Sequence, residues 1–379
     1  MTAVPSTRLQ VPSSLPAMGK PFLPVTLWAG VGAVILAFEI WVLARWVTGP
    51  NFVPVPSGPS TPPEWMKLTL TVLQALSIPV LLGFAYRFLI RPWRRERTVN
   101  TDGLLMIAFF FTFFQDPLSN YFGTWLTYNS WMWNYGSWVH DIPGWQSYGK
   151  PGAMVVEPPL FTPAAYIYCC LGLAILGCTT MRKAKARWPG LGPLSLVGIC
   201  YLVMAVMVLL IEGCLFMPIG VWTYAGGHIA INSEHYYKFP LHEMIFLGMG
   251  FASFGVMRYF TNDRGQTFAE RGVHRIQGSV AKRNVVRVLA LSGAVQTLLF
   301  VLWTLPSALL VIHPGEYPRD MQERSYFTDG VCGQGTDRAC PGPAVPAPAP
   351  GSAYVDPTGR LIYPPGSNPP QVVPFRTDN

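Results

Sequence analysis

The chain has few charged residues for its length. Asp, Glu, Lys and Arg make up 12% of its 379 residues, about half the share usual in soluble domains, whereas 50% of the residues are hydrophobic. So little charge cannot cover the surface of a multi-domain protein in water, which excludes a soluble multi-domain enzyme. The composition instead predicts a membrane protein.

Sequence motifs for nucleophilic and nucleotide chemistry are missing. No G-x-S-x-G elbow is present, and no G-x-G-x-x-G follows a predicted strand. His228, His235 and His242 recur every seven residues, but the segment between them does not read as one helix, and no H-E-x-x-H motif occurs. We therefore expect no cofactor and no bound metal.

Long apolar stretches account for most of the chain. Each can cross about 30 Å of hydrocarbon as a helix, and none alternates with period two. They are Leu23–Val47, Met66–Ile90, Gly103–Gly123, Leu160–Met181, Leu191–Ile219, Phe239–Phe260 and Asn284–Ile312. No cleavage site follows the first stretch, so we expect it to be retained. The predicted fold is all-α: a polytopic membrane protein with about seven transmembrane helices.

Lys and Arg are concentrated in alternate loops. Five follow the second span, four follow the fourth and seven surround the loop after the sixth, whereas the three intervening loops hold only Lys150 and Lys238. Because short cytoplasmic loops carry the excess positive charge, we place the N-terminus inside and the C-terminus outside a cell membrane that the chain crosses several times. The expected partner of these basic residues is the lipid bilayer, not nucleic acid.

The spans divide the chain into three parts. Residues 1–22 form an N-terminal cytoplasmic segment, residues 23–312 the transmembrane domain with an aromatic external loop at 124–159, and residues 313–379 an external tail. The tail is Pro-rich from Pro341 onward, so we predict it to be largely disordered. Cys332 and Cys340 lie in it, on the side where a disulfide persists, and their pairing is left open, as is the oligomeric state.

Ionisable residues are scarce within the spans. An intramembrane charge costs about 3 kcal/mol on insertion scales, so each such group is by default a functional hypothesis. Glu39, Asp116 and Glu212 lie on outward-running spans, and His242 and Glu243 begin an inward-running one. At 1.5 Å per residue all five reach the outer half of the bilayer, and we predict that they are catalytic residues. For Glu39, a packing contact with a polar neighbour is an equal alternative.

Pro117 interrupts the third span beside Gln115 and Asp116. Proline lacks an N–H, so the segment is either a broken helix with a cavity-facing carboxylate or an ordinary kink whose Asp is satisfied by neighbours. We predict Asp116 as the leading acid, Glu212 or Glu243 as the base, and Gln115 at the substrate.

The predicted external loop TWLTYNSWMWNYGSWVHDIPGWQSYGKPG is dense in Trp and Tyr. These rings form either an interfacial aromatic belt or a lid over the outer mouth, whose faces bind an apolar ligand and stabilise a developing cation. The lid interpretation assigns substrate contacts to Trp131, Trp133, Tyr135, Trp138 and the adjacent His140 and Asp141.

Four phrases resemble one known family. They are ARWVTGPNFVPVPSGP, RFLIRPWRRERTVNTDGLL, FFQDPLSNYFGTWLTYNSW and NYGSWVHDIPGWQ. Together they resemble the spirocyclase AveC-like membrane proteins, from about Ala44 to about Gly272 and without the Pro-rich tail. The resemblance implies a protein similar to one that closes a dihydroxy-ketone polyketide into a spiroketal with loss of water. It transfers no catalytic residue.

Spiroketal closure needs acids and bases but no redox cofactor. We therefore predict a cofactor-independent membrane cyclase for a hydrophobic, polyketide-like hydroxy-ketone that arrives from the lipid. The competing class is a transporter or channel that uses the same carboxylates for proton or cation coupling. A retinal-type receptor is disfavoured, because the predicted orientation is opposite and the seventh span has no buried Lys. A lipid-binding scaffold would leave carboxylate variants without a chemical phenotype.

Overall fold

The structure is a computed structural model that describes residues 23–148, 155–347 and 349–367. The predicted cytoplasmic segment 1–22, Lys150 and residues 368–379 therefore lie outside the described residues.

The described chain is mostly helical. In chain order its α-helices are α1 Pro24–Thr48, α2 Glu64–Phe84, α3 Arg91–Glu96, α4 Thr101–Phe110, α5 Thr162–Arg187, α6 Pro193–Val208, α7 Leu241–Tyr259, α8 Val280–Leu299, α9 Leu305–Leu310, α10 Arg319–Gln322 and α11 Ser325–Thr328. Three π-helical segments continue α2, α6 and α8 at Ala85–Ile90, Leu209–Phe216 and Phe300–Thr304. Short 3-10 turns lie at Phe111–Gln115, Pro117–Asn120, Trp138–Asp141, Phe268–Glu270 and Val273–Arg275.

Within the described ranges, three two-stranded antiparallel sheets connect the loops. The strands are β1 Thr127–Tyr128, β2 Trp222–Thr223, β3 Ala230–Ile231, β4 Phe239–Pro240, β5 Tyr354–Val355 and β6 Leu361–Ile362. They pair as β1–β2, β3–β4 and β5–β6, with Thr127 opposite Thr223 in the first pair. The β1–β2 pair therefore joins the loop after α4 to the loop after α6.

Five helices in the described ranges are long and apolar enough to cross a membrane, judged by length and composition. They are Pro24–Thr48, Glu64–Glu96, Thr162–Arg187, Pro193–Phe216 and Val280–Leu310. This confirms a helical protein with several apolar helices. The predicted third and sixth spans correspond to α4, which ends at Phe110, and to α7. The count of seven and the orientation stay predictions.

The α1 and α8 helices cross with their backbones in contact. A Cβ atom on Gly32 would collide with the backbone carbonyl of Leu289, and one on Gly293 would collide with that of Trp28. Small residues allow the two helix backbones to approach this closely. In an apolar medium, van der Waals contact between the backbones then helps to hold the helices together. The crossing therefore depends on glycine at both positions.

Two partly buried ion pairs join the start of α4, the end of α7 and the first half of α8. Arg258 of α7 donates twice to Asp102 of α4, at 2.8 and 2.9 Å. Arg287 of α8 pairs with Glu270 at 2.7 Å. The bidentate contact restricts orientation as well as distance, so it fixes α7 against α4, whereas the second pair fixes the turn Phe268–Glu270 against α8.

Residues 313–347 differ from the predicted disordered tail. Tyr317, Tyr326 and Phe327 are fully buried. The Tyr317 hydroxyl donates to the backbone carbonyl of Thr124, and the Thr127 hydroxyl donates to that of Phe327 at 2.6 Å. The reason lies in composition, because the aromatic residues precede the Pro-rich run and can bury apolar area against the loop after α4.

A disulfide and a buried lysine hold this segment in place. Cys332 and Cys340 form a disulfide, with Cα atoms 4.9 Å apart. The sequence alone had left this pairing open. The Lys238 ammonium donates to the backbone carbonyls of Glu316 at 2.7 Å and Ala225 at 3.2 Å. Burial lowers the pKa of Lys238 to about 8. The segment is thus part of the folded domain as far as the described residues reach.

The contact between α1 and α8 at Gly32 can be tested with two alanine substitutions on α1. Gly32→Ala should lower the free energy of unfolding by about 1–3 kcal/mol, since overpacking against backbone cannot be relieved by a side-chain rotation. Gly30→Ala is the control, because a Cβ there meets nothing within 4 Å. It should leave stability equal or slightly higher. Unfolding in detergent measures both, and equal losses would contradict the crossing.

Candidate active site

A cavity of about 80 Å³ lies between α5, the α6 helix with its π-helical end, and the β1–β2 loops. A volume of this size holds several water-sized molecules or a small part of a larger ligand. Its lining is mostly apolar and aromatic and contains the polar residues Asp116, Tyr128, Thr162, Tyr166, Glu212 and Tyr224.

Asp116 is held by two phenols. The Tyr128 hydroxyl donates to Asp116 Oδ2 in a short hydrogen bond, and the Tyr166 hydroxyl donates to Oδ1 at 3.0 Å. Burial, followed by the negative charge of Asp116, raises the pKa of Tyr128, so this phenol stays an O–H donor at physiological pH. Both carboxylate oxygens of Asp116 are therefore satisfied, one by each phenol.

The broken helix explains how Asp116 enters the cavity. The α4 helix ends at Phe110, a 3-10 turn follows, and Pro117, which lacks an N–H, starts the next turn. The carbonyl of Asp116 accepts from the Ser119 hydroxyl at 2.9 Å, and the carbonyl of Ser119 accepts from the Trp125 indole at 3.0 Å. Side chains thus satisfy the backbone that the break releases.

Glu212 and Glu243 share one phenol. The Tyr224 hydroxyl lies 2.8 Å from Glu212 Oε2 and 3.5 Å from Glu243 Oε2. Glu243 also accepts from the Trp303 indole at 2.9 Å, and its Oε1 lies 3.6 Å from His242 Nε2. Burial, followed by the nearby charge of Glu212, raises the pKa of Tyr224 and keeps it a donor. Glu212 lines the cavity, whereas Glu243 lies behind Tyr224 and Trp303.

The helices that carry these groups are irregular where they reach the cavity. Glu212 lies in the π-helical segment Leu209–Phe216, and its carbonyl accepts from the backbone N–H of Met217 at 2.9 Å, five residues on. Trp303 lies in the π-helical segment Phe300–Thr304. Such widened turns redirect side chains and recur at functional sites. Together with the broken helix of Asp116, three irregular helices therefore reach the same cavity.

The predicted catalytic residues divide into two groups. The structure brings together Asp116, Glu212, Glu243 and His242 at or directly behind the cavity. Glu39 is buried elsewhere, where its Oε1 accepts from the Gln296 amide at 2.7 Å. Glu39 is not among the described residues that line the cavity.

The predicted substrate contacts lie away from the cavity. Gln115 bonds to Gln296 and Thr304 behind it, and Trp131 and Trp133 are exposed. Tyr135 stacks on Phe52 with ring centroids 4.4 Å apart, and Trp138 is buried against Trp46 and Phe114. Asp141 pairs with Arg45 at 3.4 Å, and His140 lies on the same turn.

Other aromatic residues line the cavity. Among the described residues they are Tyr128, Phe161, Tyr166, Phe216, Trp222, Tyr224, Phe251 and Trp303.

The three regularly spaced histidines have separate surroundings. His228 contacts the carbonyl of Leu310 at 3.3 Å, His235 stacks on Tyr237, and His242 lies beside Glu243. Over the described ranges, no group of three or more His, Cys, Asp or Glu residues is placed to hold a metal ion.

Glu157 is a buried carboxyl group that the sequence did not single out. It lies in the loop before α5, is 2% exposed, and neither of its oxygens has a hydrogen-bond partner within the described ranges. The Thr162 hydroxyl lies nearby but donates to the carbonyl of Pro158 at 2.7 Å. Burial, followed by the charge of Asp116, raises the pKa of Glu157 well above its ordinary value of 4.5.

Comparison with known proteins identifies a family. The family model described as Spirocyclase AveC-like matches residues 93–327, well over half of the 379 residues. The match begins later than Ala44 and continues beyond Gly272, through α8, α9 and the first part of the C-terminal segment. No curated protein and no solved structure matches the chain.

The buried Glu157 predicts a pH dependence of stability. Because its pKa is raised by folding, its contribution to stability is complete below pH 4.5 and is lost as the pH rises through the folded value. Glu157→Gln stays neutral, so its melting temperature in detergent should fall less than that of wild type as the pH rises above 4.5. Glu234→Gln, at an exposed position, is the control. Parallel curves for wild type and Glu157→Gln would contradict the prediction.

Proposed function

Because the chain belongs to the spirocyclase AveC-like family, we propose that it is a membrane cyclase that closes a hydrophobic, polyketide-like dihydroxy-ketone into a spiroketal with loss of water. One observation carries the proposal. Asp116 and Glu212 come from separate helices, line the same mostly apolar cavity, and are each hydrogen-bonded to a tyrosine.

The reaction needs one acid and one base. The first hydroxyl adds to the ketone carbon and gives a hemiketal. The acid then protonates the hemiketal hydroxyl, which leaves as water and gives an oxocarbenium ion. The second hydroxyl adds to that cation, and its proton passes to the base. The substrate loses one water, nothing is oxidised or reduced, and the proton is returned to the site.

The hydrogen bonds favour the reverse of the roles predicted from sequence. Asp116 accepts from Tyr128 and Tyr166, one on each oxygen, and two donors stabilise a carboxylate. Glu212 accepts only from Tyr224, and its Oε1 has no hydrogen bond within the described ranges, which suits a neutral acid facing a ligand. We therefore assign Glu212 as the acid and Asp116 as the base.

Glu243 and the aromatic lining support this chemistry. Glu243 fixes Tyr224 from the side away from the cavity, and Trp125 stacks on the Tyr224 ring with centroids 4.8 Å apart. The faces of Trp222 and Trp303 can stabilise an oxocarbenium ion by about 0.5–2 kcal/mol each. The remaining apolar lining suits a substrate that enters from the bilayer and excludes water, which would otherwise capture the cation.

We also propose that α4 with its following turns and α7 complete a seven-span bundle in the cell membrane. The arginine-rich segments at the ends of α3, α5 and α7 support an orientation with the N-terminus inside. In this orientation the cavity lies toward the outer leaflet.

The decisive test uses a short, symmetric dihydroxy-ketone with each terminal hydroxyl four carbons from the ketone. Spontaneous closure gives a racemic spiroketal, so an enantiomerically enriched product is the signature of the protein. Asp116→Asn and Glu212→Gln in membranes should each lower the rate of enriched product about 10²–10⁴-fold, the usual contribution of an acid or base. Chiral gas chromatography measures both.

Glu64→Gln is the control, because Glu64 is exposed at the start of α2 and is not among the described residues that line the cavity. It should retain the wild-type rate and enrichment. Unchanged rates in both cavity variants would remove these residues from the mechanism.

Flux measurements separate the cyclase from the transporter. If the carboxylates serve only chemistry, proteoliposomes with an imposed pH gradient should show the same proton leak with wild type and with Asp116→Asn. Proton or cation flux that Asp116→Asn abolishes, together with racemic product, would favour the transporter.

A further inference from the structure

Four buried polar side chains form one hydrogen-bonded chain between α1, the turn after α4, and α8 with its π-helical end. They are Glu39, Gln115, Gln296 and Thr304. Thr304 Oγ1 donates to Gln115 Oε1 at 2.7 Å, and Gln115 Nε2 donates to Gln296 Oε1 and, at 2.9 Å, to the Gln296 carbonyl. Gln296 Nε2 donates to Glu39 Oε1 at 2.7 Å. All donors therefore point one way, from Thr304 toward Glu39.

Two residues that line the cavity, Asp116 and Trp303, are neighbours in sequence of residues in this hydrogen-bonded chain. Gln115 directly precedes Asp116, and Thr304 directly follows Trp303, whose indole donates to Glu243. A planar peptide transmits a displacement of one residue to the next. A change in the hydrogen-bonded chain would therefore move Asp116 relative to Trp303.

The hydrogen-bonded chain lies behind the cavity and not in it. None of its four residues is among the described residues that line the cavity, so none of them touches a ligand bound there. Its far end is anchored, because α1 crosses α8 at Gly32 and Gly293 with the backbones in contact. The chain thus links a rigid helix pair to the broken helix of Asp116.

We propose that Glu39 and Gln296 are positioning residues. Through Gln115 and Thr304 they hold Asp116 and Trp303, whose indole bonds to Glu243, at their working separation. The role rests on the proposed cyclase function and replaces the direct catalytic role that the sequence suggested for Glu39. A misplacement of about 1 Å can cost about 10²-fold in rate, so such a chain matters without contacting the substrate.

The test is a swap of the central link. Gln296→Glu keeps an acceptor for Gln115 but has no N–H to offer Glu39, so two carboxyl groups face each other. We expect kcat for the dihydroxy-ketone to fall about 10–100-fold, the usual effect of a supporting residue. KM should change less than about threefold, because the substrate contacts are intact.

Adding Glu39→Gln to Gln296→Glu restores every link, since the new amide donates to the new carboxylate. We expect kcat to return to within about fivefold of wild type. The melting temperature should fall in Gln296→Glu and recover in the double variant, which tests the contact without reference to catalysis.

Gln74→Glu is the matched control. Gln74 is a buried glutamine on α2 that bonds to the carbonyl of Leu70 at 3.2 Å and accepts from the N–H of Trp133 at 3.0 Å, outside this chain. The same chemical change there should leave kcat within about twofold of wild type.

The outcomes separate the two proposals. An active wild type whose double variant is no better than Gln296→Glu would overturn the positioning role alone, and would return a proton-handling role to Glu39. Wild-type protein that gives only racemic product would overturn the cyclase function, and the positioning role with it.

Discussion

A polar group inside an apolar bundle must find its hydrogen-bond partner within the protein, and this requirement organises the whole site. The break at Pro117 releases backbone groups, which the Ser119 hydroxyl and the Trp125 indole satisfy. The carboxyl groups are likewise held by phenols, an indole and amides. Because the partners of the carboxyl groups include side chains from other helices and loops, satisfying these few polar groups also determines how the helices meet.

The helical fold with several apolar helices and the burial of Asp116, Glu212 and Glu243 could be predicted, because a carboxylate in an apolar run is conspicuous. Their partners could not. Tyr224 and Trp303 belong to residue types that are common in spans and at interfaces, so nothing in the sequence distinguishes the ones that bond to carboxylates. Only the fold shows which aromatic residues do so.

Two further residues show where sequence patterns stop being informative. Glu157 lies outside every span, where carboxylates are ordinary, and only tertiary packing buries it. Glu39 stood out for the opposite reason, since it lies in a span, yet it is not among the described residues that line the cavity. Position within a span predicts burial, but the choice between a cavity and a helix interface depends on which face of the helix meets which neighbour.

The C-terminal segment has a consequence for biogenesis. Its residues supply the partners of Thr124, Thr127 and Lys238, on the loops next to the cavity. A nascent chain that contains all its long helices but not yet residues 313–340 lacks those partners. The loops next to the cavity can therefore reach their final packing only after residues 313–340 have been synthesised, which makes this part of the fold among the last to form.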